Sequence, residues 1–197
     1  KSLSIDVDSI AVASTGIIGV ELPMALMRKF IPQIELSDSD GPGFARSILT
    51  TDKRTKEIAV SFDLEGSKVT VAGVAKGSGM IHPNMATMLA FITSDISIDE
   101  KILKDALSHS VNNSFNQISV DGDQSTNDTV LIMTNGKANN KKITNIDVAE
   151  KFIKALDEVC IFLAKEIAKD GEGNTRLIEA TVQGAKTEDD ARKATKY

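Results

Sequence analysis

The chain has 197 residues, 41% hydrophobic and 26% charged, with a formal net charge of -5, which is typical of a soluble globular protein and excludes disordered and fibrous classes. One cysteine and two histidines exclude a disulfide framework and most Cys/His zinc sites, so we expect no metal. An acidic chain with no tryptophan and one tyrosine argues against nucleic-acid binding. No apolar run approaches the length of about 18 residues that a membrane-spanning helix needs. We therefore expect a cytoplasmic enzyme that acts on small molecules.

The first half of the chain predicts a glycine turn, a helix and a hairpin. Residues 10–13 form a short apolar run that predicts a strand, followed by the turn Ser14-Thr15-Gly16. Pro23 and Pro32 bound a predicted helix. Residues 57–64 and 67–72 are rich in strand-forming residues and flank Glu65-Gly66, so they predict a β-hairpin.

The second half predicts three further strands and two amphipathic helices. Residues 88–93 and 129–134 are apolar runs typical of buried strands, and residues 176–182 predict a third strand. Ser97 and Glu100 form a capping box ahead of one helix. Asp147 opens the longest helix, which Gly171 ends. Strands and helices mixed in this way predict an α/β or α+β layered fold.

A threonine at a predicted loop-to-strand junction, Thr87, is a candidate nucleophile. It ends the run KGSGMIHPNMAT, just before an apolar strand. An N-terminal nucleophile needs a hydroxyl or thiol at such a strained junction, because it attacks the preceding carbonyl and the freed amine becomes its base. Spacing alone favours the simpler interpretation that this threonine is a strand former.

Two other polar features have ordinary explanations. The run DGDQSTND lacks the glycine at position six and the glutamate at position twelve of an EF-hand, so we interpret it as an Asx-rich loop near the site. His82 is expected to order the cleavage loop rather than to join a Ser-His-Asp triad. Cys160 falls among core-facing helix positions and is expected to be a packed thiol.

Five ordered motifs change the interpretation of Thr87. The runs VASTGIIG, SILTTD, KGSGMIHPNMATML, SVDGDQSTND and DGEGNTR together closely resemble the ornithine acetyltransferase family, also called bifunctional glutamate N-acetyltransferase or ArgJ. The resemblance covers residues from about 10 to 181. It implies an ArgJ/DmpA-like fold of the N-terminal-nucleophile type, built as a layered sandwich of mixed sheets and helices.

The resemblance also implies the roles of individual residues. The precursor cuts itself between Ala86 and Thr87, and the Thr87 hydroxyl then accepts the acyl group. Thr15 and Gly16 form the oxyanion hole, for which a phosphate-binding loop is the weaker alternative because STGIIG lacks both phosphate-loop patterns. The substrate-binding residues are Thr50, or Thr51 given the different length of the intervening segment, together with Lys76, Thr87 and Glu172.

The implied activity is transfer of the acetyl group from N2-acetylornithine to glutamate, with release of ornithine, by a ping-pong acyl-threonine mechanism. No cofactor is implied, and use of acetyl-CoA as a further acetyl donor stays open. Residues 1–86 would be the end of the α chain and residues 87–197 the start of the β chain. The α and β chains stay associated, and the resemblance implies a heterotetramer of two α and two β chains.

Two alternatives differ from this function. Family members extend beyond the equivalent of Tyr197 and supply further Asn and Ser or Thr residues there, and this chain begins late, so we expect it to be a fragment. A hydrolase, either an amidohydrolase or an aminopeptidase, would let water rather than glutamate resolve the acyl-enzyme. A non-catalytic truncated remnant would only associate with a partner.

Overall fold

A four-stranded mixed sheet organises the chain in the computed structural model, which describes residues 5–82 and 88–196. The strands follow one another across the sheet in the order β1-β2-β3-β4. Strands β1–β3 are antiparallel neighbours, whereas β3 and β4 are parallel. The strands are β1 (Lys56–Leu64), β2 (Ser67–Lys76), β3 (Leu89–Ser94) and β4 (Thr129–Thr134). The predicted mixed α/β fold is therefore confirmed.

The hairpin between β1 and β2 forms at the predicted turn. Glu65 and Gly66 both have positive φ, 51° and 87°, as a two-residue type I′ turn requires. Its register places Val60 opposite Val71 and Phe62 opposite Val69 on the face toward the core. Local turn chemistry and strand alternation therefore agree in this half of the sheet.

One long helix covers a single face of the sheet. The helices are α1 (Met24–Phe30), α2 (Gly41–Ser47), α3 (Glu100–Asn112), α4 (Glu150–Lys169) and α5 (Glu188–Lys196). Helix α4 packs on β1 and β2, and α3 packs against α4. The buried side of α4 carries residues at three- and four-residue steps: Phe152, Ala155, Leu156, Val159, Cys160, Leu163, Ala164, Ile167 and Ala168. Each large apolar side chain buried there contributes about 1.5 to 3 kcal/mol.

Three sequence-based expectations about secondary structure are wrong. Residues 10–13 and 176–182 are not strands, because no described strand lies beside them to complete a ladder, and the second run is exposed. The cap of α3 is Asp99, whose carboxylate accepts a hydrogen bond from the Lys101 amide, and not Ser97. In contrast, helix α1 lies between Pro23 and Pro32, as predicted.

No helix among the described residues is both long enough and apolar enough to cross a membrane. The division at residues 86 and 87 lies outside the described residues.

Candidate active site

Two buried carboxylates meet one buried lysine where β1 begins and α4 ends. Lys56 Nζ donates hydrogen bonds of 2.7 Å to Asp52 Oδ1 and 2.7 Å to Asp170 Oδ2, and one of 3.3 Å to the Arg54 carbonyl. Asp170 is the C-cap of α4 and also accepts a hydrogen bond of 3.0 Å from the Lys53 amide. The ammonium has three hydrogens, and all three therefore have an acceptor.

The Asp52 carboxylate also holds the backbone on both sides of the site. Its Oδ1 accepts a hydrogen bond of 2.6 Å from the Gly77 amide, and its Oδ2 accepts one of 3.2 Å from the Thr50 amide. Burial raises the pKa of a carboxyl, but the hydrogen bonds from Lys56, Gly77 and Thr50 outweigh burial here and lower the pKa of Asp52. Asp52 therefore stays ionised at neutral pH.

Lys76, the last residue of β2, is a buried lysine without such partners. It is 2% exposed, and its Nζ lies 3.9 Å from Asp52 Oδ2. Within the described part of the chain Lys76 Nζ donates no hydrogen bond. Burial lowers the pKa of Lys76, although the nearby Asp52 charge opposes that shift. This ammonium can therefore accept an incoming carboxylate as its partner.

A threonine, a serine and a glutamate meet at the segment that follows this lysine in the chain. Thr51 Oγ1 and Ser78 Oγ are 2.7 Å apart, and Ser78 is 1% exposed. The Ser78 carbonyl accepts a hydrogen bond of 2.6 Å from the Glu172 amide. A Cβ on Gly79 would lie 2.7 Å from the Glu172 carboxylate carbon, so a side chain there would displace that carboxylate. Thr51 therefore reaches this cluster with its hydroxyl, whereas Thr50 contributes its amide to Asp52.

The loop of residues 121–128, the DGDQSTND run, holds the chain just before residues 83–87. The Asp121 carboxylate accepts hydrogen bonds of 2.5 Å from the Met80 amide and 2.9 Å from the Ile81 amide. His82 Nδ1 lies 3.2 Å from the Oγ of Ser119, which is two residues before Asp121. Ile81 and His82, the described residues closest to the candidate cleavage segment on this side, therefore contact the loop and the serine just before it.

The same loop holds the chain just after residues 83–87. Asp128 Oδ1 accepts a hydrogen bond of 2.8 Å from the Met88 amide. Its second oxygen, Oδ2, is buried and has no hydrogen-bond partner among the described residues. Burial raises the pKa of Asp128, opposed by the Met88 hydrogen bond and by the charge of Lys76. The two carboxylates of one loop thus anchor both ends of the predicted cleavage segment.

The predicted oxyanion residues are linked to this loop as well. The Ser14 carbonyl accepts a hydrogen bond of 2.8 Å from Asn127 Nδ2, which brings the turn beside Asp128. Within residues 5–82 and 88–196, the amides of Thr15 and Gly16 donate no hydrogen bond. This turn precedes α1 and is not part of it.

Among the predicted site residues, the structure brings Thr51, Lys76 and Glu172 together, and it links Thr15 and Gly16 to the neighbouring loop. Ala86 and Thr87 lie outside the described residues. Across the part of the chain that is described, no three His, Cys, Asp or Glu side chains are arranged to hold a metal ion. Sequence reasoning missed four buried or half-buried members of the site: Asp52, Asp128 and Asp170, which lie in three of the quoted motifs, and Lys56, which lies in none.

Comparison with known proteins shows that the chain is similar to ArgJ proteins. The family model described as "ArgJ family" matches residues 1–197. The arginine biosynthesis bifunctional protein ArgJ of Bacillus thuringiensis subsp. konkukian is 52% identical over 95% of this chain and 47% of its own length. The ArgJ protein of Geobacillus kaustophilus is 50% identical over 100% of this chain and 48% of its own.

One solved structure is also similar in sequence. The crystal structure of the arginine biosynthesis bifunctional protein ArgJ from Bacillus halodurans is 50% identical, covers 44% of this chain and 41% of that chain, and has a TM-score of 0.41. The present chain spans about half the length of the curated relatives it matches.

Proposed function

The chain belongs to the ArgJ family, and from that membership we propose that its protein is a self-cleaving acetyltransferase of arginine biosynthesis. It would move the acetyl group from N2-acetylornithine to glutamate through an acyl-threonine intermediate. The observation that carries the proposal is the register of β2 and β3. Lys76 pairs with Leu89, so a buried ammonium lies opposite a residue only two positions beyond Thr87.

Self-cleavage would begin at the Thr87 hydroxyl. Its oxygen attacks the Ala86 carbonyl carbon, the Ala86–Thr87 carbon–nitrogen bond breaks, and the hydroxyl proton ends on the Thr87 nitrogen. Water then hydrolyses the resulting ester, which leaves a carboxylate on Ala86 and restores the Thr87 hydroxyl. Asp121 and Asp128 support this step, because their hydrogen bonds hold the backbone on the two sides of the segment.

Acetyl transfer would use the same hydroxyl. The Thr87 oxygen attacks the acetyl carbonyl of N2-acetylornithine. The free α-amine of Thr87 takes the proton and returns it to the leaving ornithine nitrogen, a task that suits an α-amino group because its ordinary pKa is about 8. Glutamate then takes the acetyl group in the reverse sense. The unpaired amides of Thr15 and Gly16 are the donors that we assign to the oxyanion in both halves of the cycle.

Substrate recognition would rest on opposite charges. An amino-acid substrate carries a carboxylate, for which the open ammonium of Lys76 is a partner, and Glu172 offers a carboxylate to a substrate ammonium group. The Thr51 hydroxyl, which lies 2.7 Å from Ser78 Oγ, is the polar group that we add to this binding site. The donors and acceptors of the cluster therefore match an amino acid better than an uncharged ligand.

The two products of cleavage would stay together. Strands β2 and β3 lie on opposite sides of the cut and share six antiparallel residue pairs, from Val71–Ser94 to Lys76–Leu89. We propose that the α and β chains form a cytoplasmic heterodimer, and that two heterodimers make the heterotetramer.

The test is an intact mass of the protein expressed at its full genomic length, beside Thr87→Ala and the control Thr93→Ala. Thr93 is an exposed threonine of β3. We expect two chains, one ending at Ala86 and one starting at Thr87, in the parent and the control, and one uncut chain in Thr87→Ala. An intact parent, or a cut Thr87→Ala protein, contradicts the proposal.

A second assay separates the transferase from a hydrolase. N2-acetylornithine is supplied with and without glutamate, and ornithine release is followed. We expect release to continue beyond one turnover only with glutamate, whereas a hydrolase releases ornithine equally well without it. Replacement of N2-acetylornithine by acetyl-CoA then asks whether both acetyl donors are used.

A further inference from the structure

Two buried lysines lie near one carboxylate, and they differ in how far their hydrogen-bonding capacity is filled. Lys56 Nζ has three acceptors, including Asp52 Oδ1 at 2.7 Å. Lys76 Nζ reaches Asp52 Oδ2 only at 3.9 Å and donates no hydrogen bond within the described residues. The carboxylate of Asp52 therefore forms a short hydrogen bond with Lys56 and only a long ion pair with Lys76.

We infer that Lys56 is a positioning residue for substrate binding: by occupying Asp52 it keeps the Lys76 ammonium available to a substrate carboxylate. The inference rests on the proposed function, which assigns that carboxylate to Lys76. Buried charges need a partner, so two ammonium groups near Asp52 compete for it. Lys56 holds the short contact because Asp170 and the Arg54 carbonyl fix its Nζ from the other side.

The charge count shows what happens when Lys56 is lost. Lys56 and Lys76 balance Asp52 and Asp170, and all four are buried. Removal of Lys56 together with the charge of Asp170 leaves Asp52 and Lys76 as a balanced pair. Lys76 then needs to move only about 1 Å to form a direct ion pair of the usual length of about 2.8 Å. A paired Lys76 no longer offers its hydrogen bonds to substrate.

No other described group competes for Lys76 in the same way. The Glu172 and Asp128 charges act on Lys76, but neither carboxylate forms an ion pair or a hydrogen bond with its Nζ within the described residues. The contact between Lys56 and Asp52 is therefore what leaves the Lys76 ammonium without a hydrogen-bond acceptor.

The experiment compares kinetics of the protein at its full genomic length for the parent, the charge-balanced variant Lys56→Met/Asp170→Asn, and that variant with Asp52→Asn added. We expect the KM for both glutamate and N2-acetylornithine to rise at least tenfold in the double variant, with kcat within threefold. The added Asp52→Asn removes the competing carboxylate, so we expect KM to return to within threefold of the parent. A role in folding alone predicts no such rescue.

The matched control is Lys165→Met/Glu179→Gln, which removes an exposed ion pair of 2.8 Å between α4 and the chain that follows it, and should leave both constants unchanged. If the double variant does not fold, Lys56→Met is compared with Lys56→Met/Asp52→Asn: the inference expects the added Asp52→Asn to lower KM at least threefold, and an unchanged or higher KM overturns it. A folded double variant with the parent KM overturns the inference and leaves the proposed function intact. A parent without acetyl transfer overturns both.

Discussion

Asp128 accepts a hydrogen bond of 2.8 Å from the amide of Met88, the residue that follows Thr87 in the chain. Asp121, seven positions earlier in the same loop, accepts from the amides of Met80 and Ile81 on the other side. One acidic loop therefore fixes where the chain enters and leaves the candidate cleavage segment. The proposed cleavage bond therefore lies between two points at which the backbone is held by carboxylates.

Removal of the anchor at Asp128 should slow cleavage. Asp128→Ala loses the acceptor for the Met88 amide, whereas Asp128→Asn keeps a carbonyl oxygen there. A hydrogen bond to a charged group is worth about 1.5 to 3 kcal/mol, so we expect cleavage of Asp128→Ala to slow by about ten- to a hundredfold. The measurement is the time course of chain cleavage by intact mass after expression at a restrictive temperature.

The control for this prediction is Asp95→Ala. Asp95 Oδ1 accepts a hydrogen bond of 2.8 Å from the Thr70 amide, so it has the same chemistry at a place away from the cleavage segment. We expect it to cleave like the parent. Cleavage of Asp128→Ala at the parent rate would show that the Met88 contact does not matter for processing.

Asp128→Asn should also make folding more favourable at neutral pH. Burial raises the pKa of Asp128 above its ordinary 3.8, so the ionised form is disfavoured in the folded chain. Its cost to stability is absent below pH 3.8 and grows as the pH rises through the folded-state pKa. The unfolding free energy of Asp128→Asn should therefore exceed that of the parent at pH 7, with the difference vanishing below pH 3.8. Urea unfolding at both pH values measures it, and an excess that is independent of pH would contradict this cause.

Lys76→Met should lower the activity and raise the stability of the protein. The substitution removes a buried ammonium without a hydrogen-bond acceptor, while Asp52 keeps its short contact with Lys56. We expect the unfolding free energy to rise by about 1 kcal/mol and kcat/KM to fall at least about a hundredfold. Lys68→Met changes an exposed lysine of the same strand and should alter neither. A stable Lys76→Met protein with parent kcat/KM would remove Lys76 from the binding site.

Local patterns account for the parts of the fold that the sequence predicts. The hairpin follows from Glu65-Gly66 between alternating runs, and α4 follows from apolar residues at helical spacing. The capping residue was misplaced because Ser97 and Asp99 both suit an N-cap, and only tertiary context selects Asp99. Residues 176–182 have strand-like composition, but strand formation needs a neighbour and none of the described strands pairs with them.

The site was less predictable, because its members come from distant parts of the chain. Lys56 and Asp170 are 114 positions apart, and each has an ordinary local explanation, a strand residue and a helix C-cap. Their contact depends on α4 lying across β1, which no periodicity specifies. Motif resemblance supplied Lys76 and Glu172 as candidates, whereas the lysine that competes for Asp52 emerges only from the packed structure.

The packing of α4 on the sheet provides the last prediction, at Gly73 in β2. A Cβ at this position would lie 2.8 Å from Val159 Cγ1 and 2.9 Å from Leu163 Cδ1, so the helix and strand must separate to admit it. We expect Gly73→Ala to lower the unfolding free energy by about 1 to 3 kcal/mol, measured by urea denaturation. Gly41→Ala is the control, because a Cβ there meets nothing within 4 Å, and its effect should stay within about 0.5 kcal/mol. Equal stabilities of the two variants would mean that α4 does not approach β2 this closely.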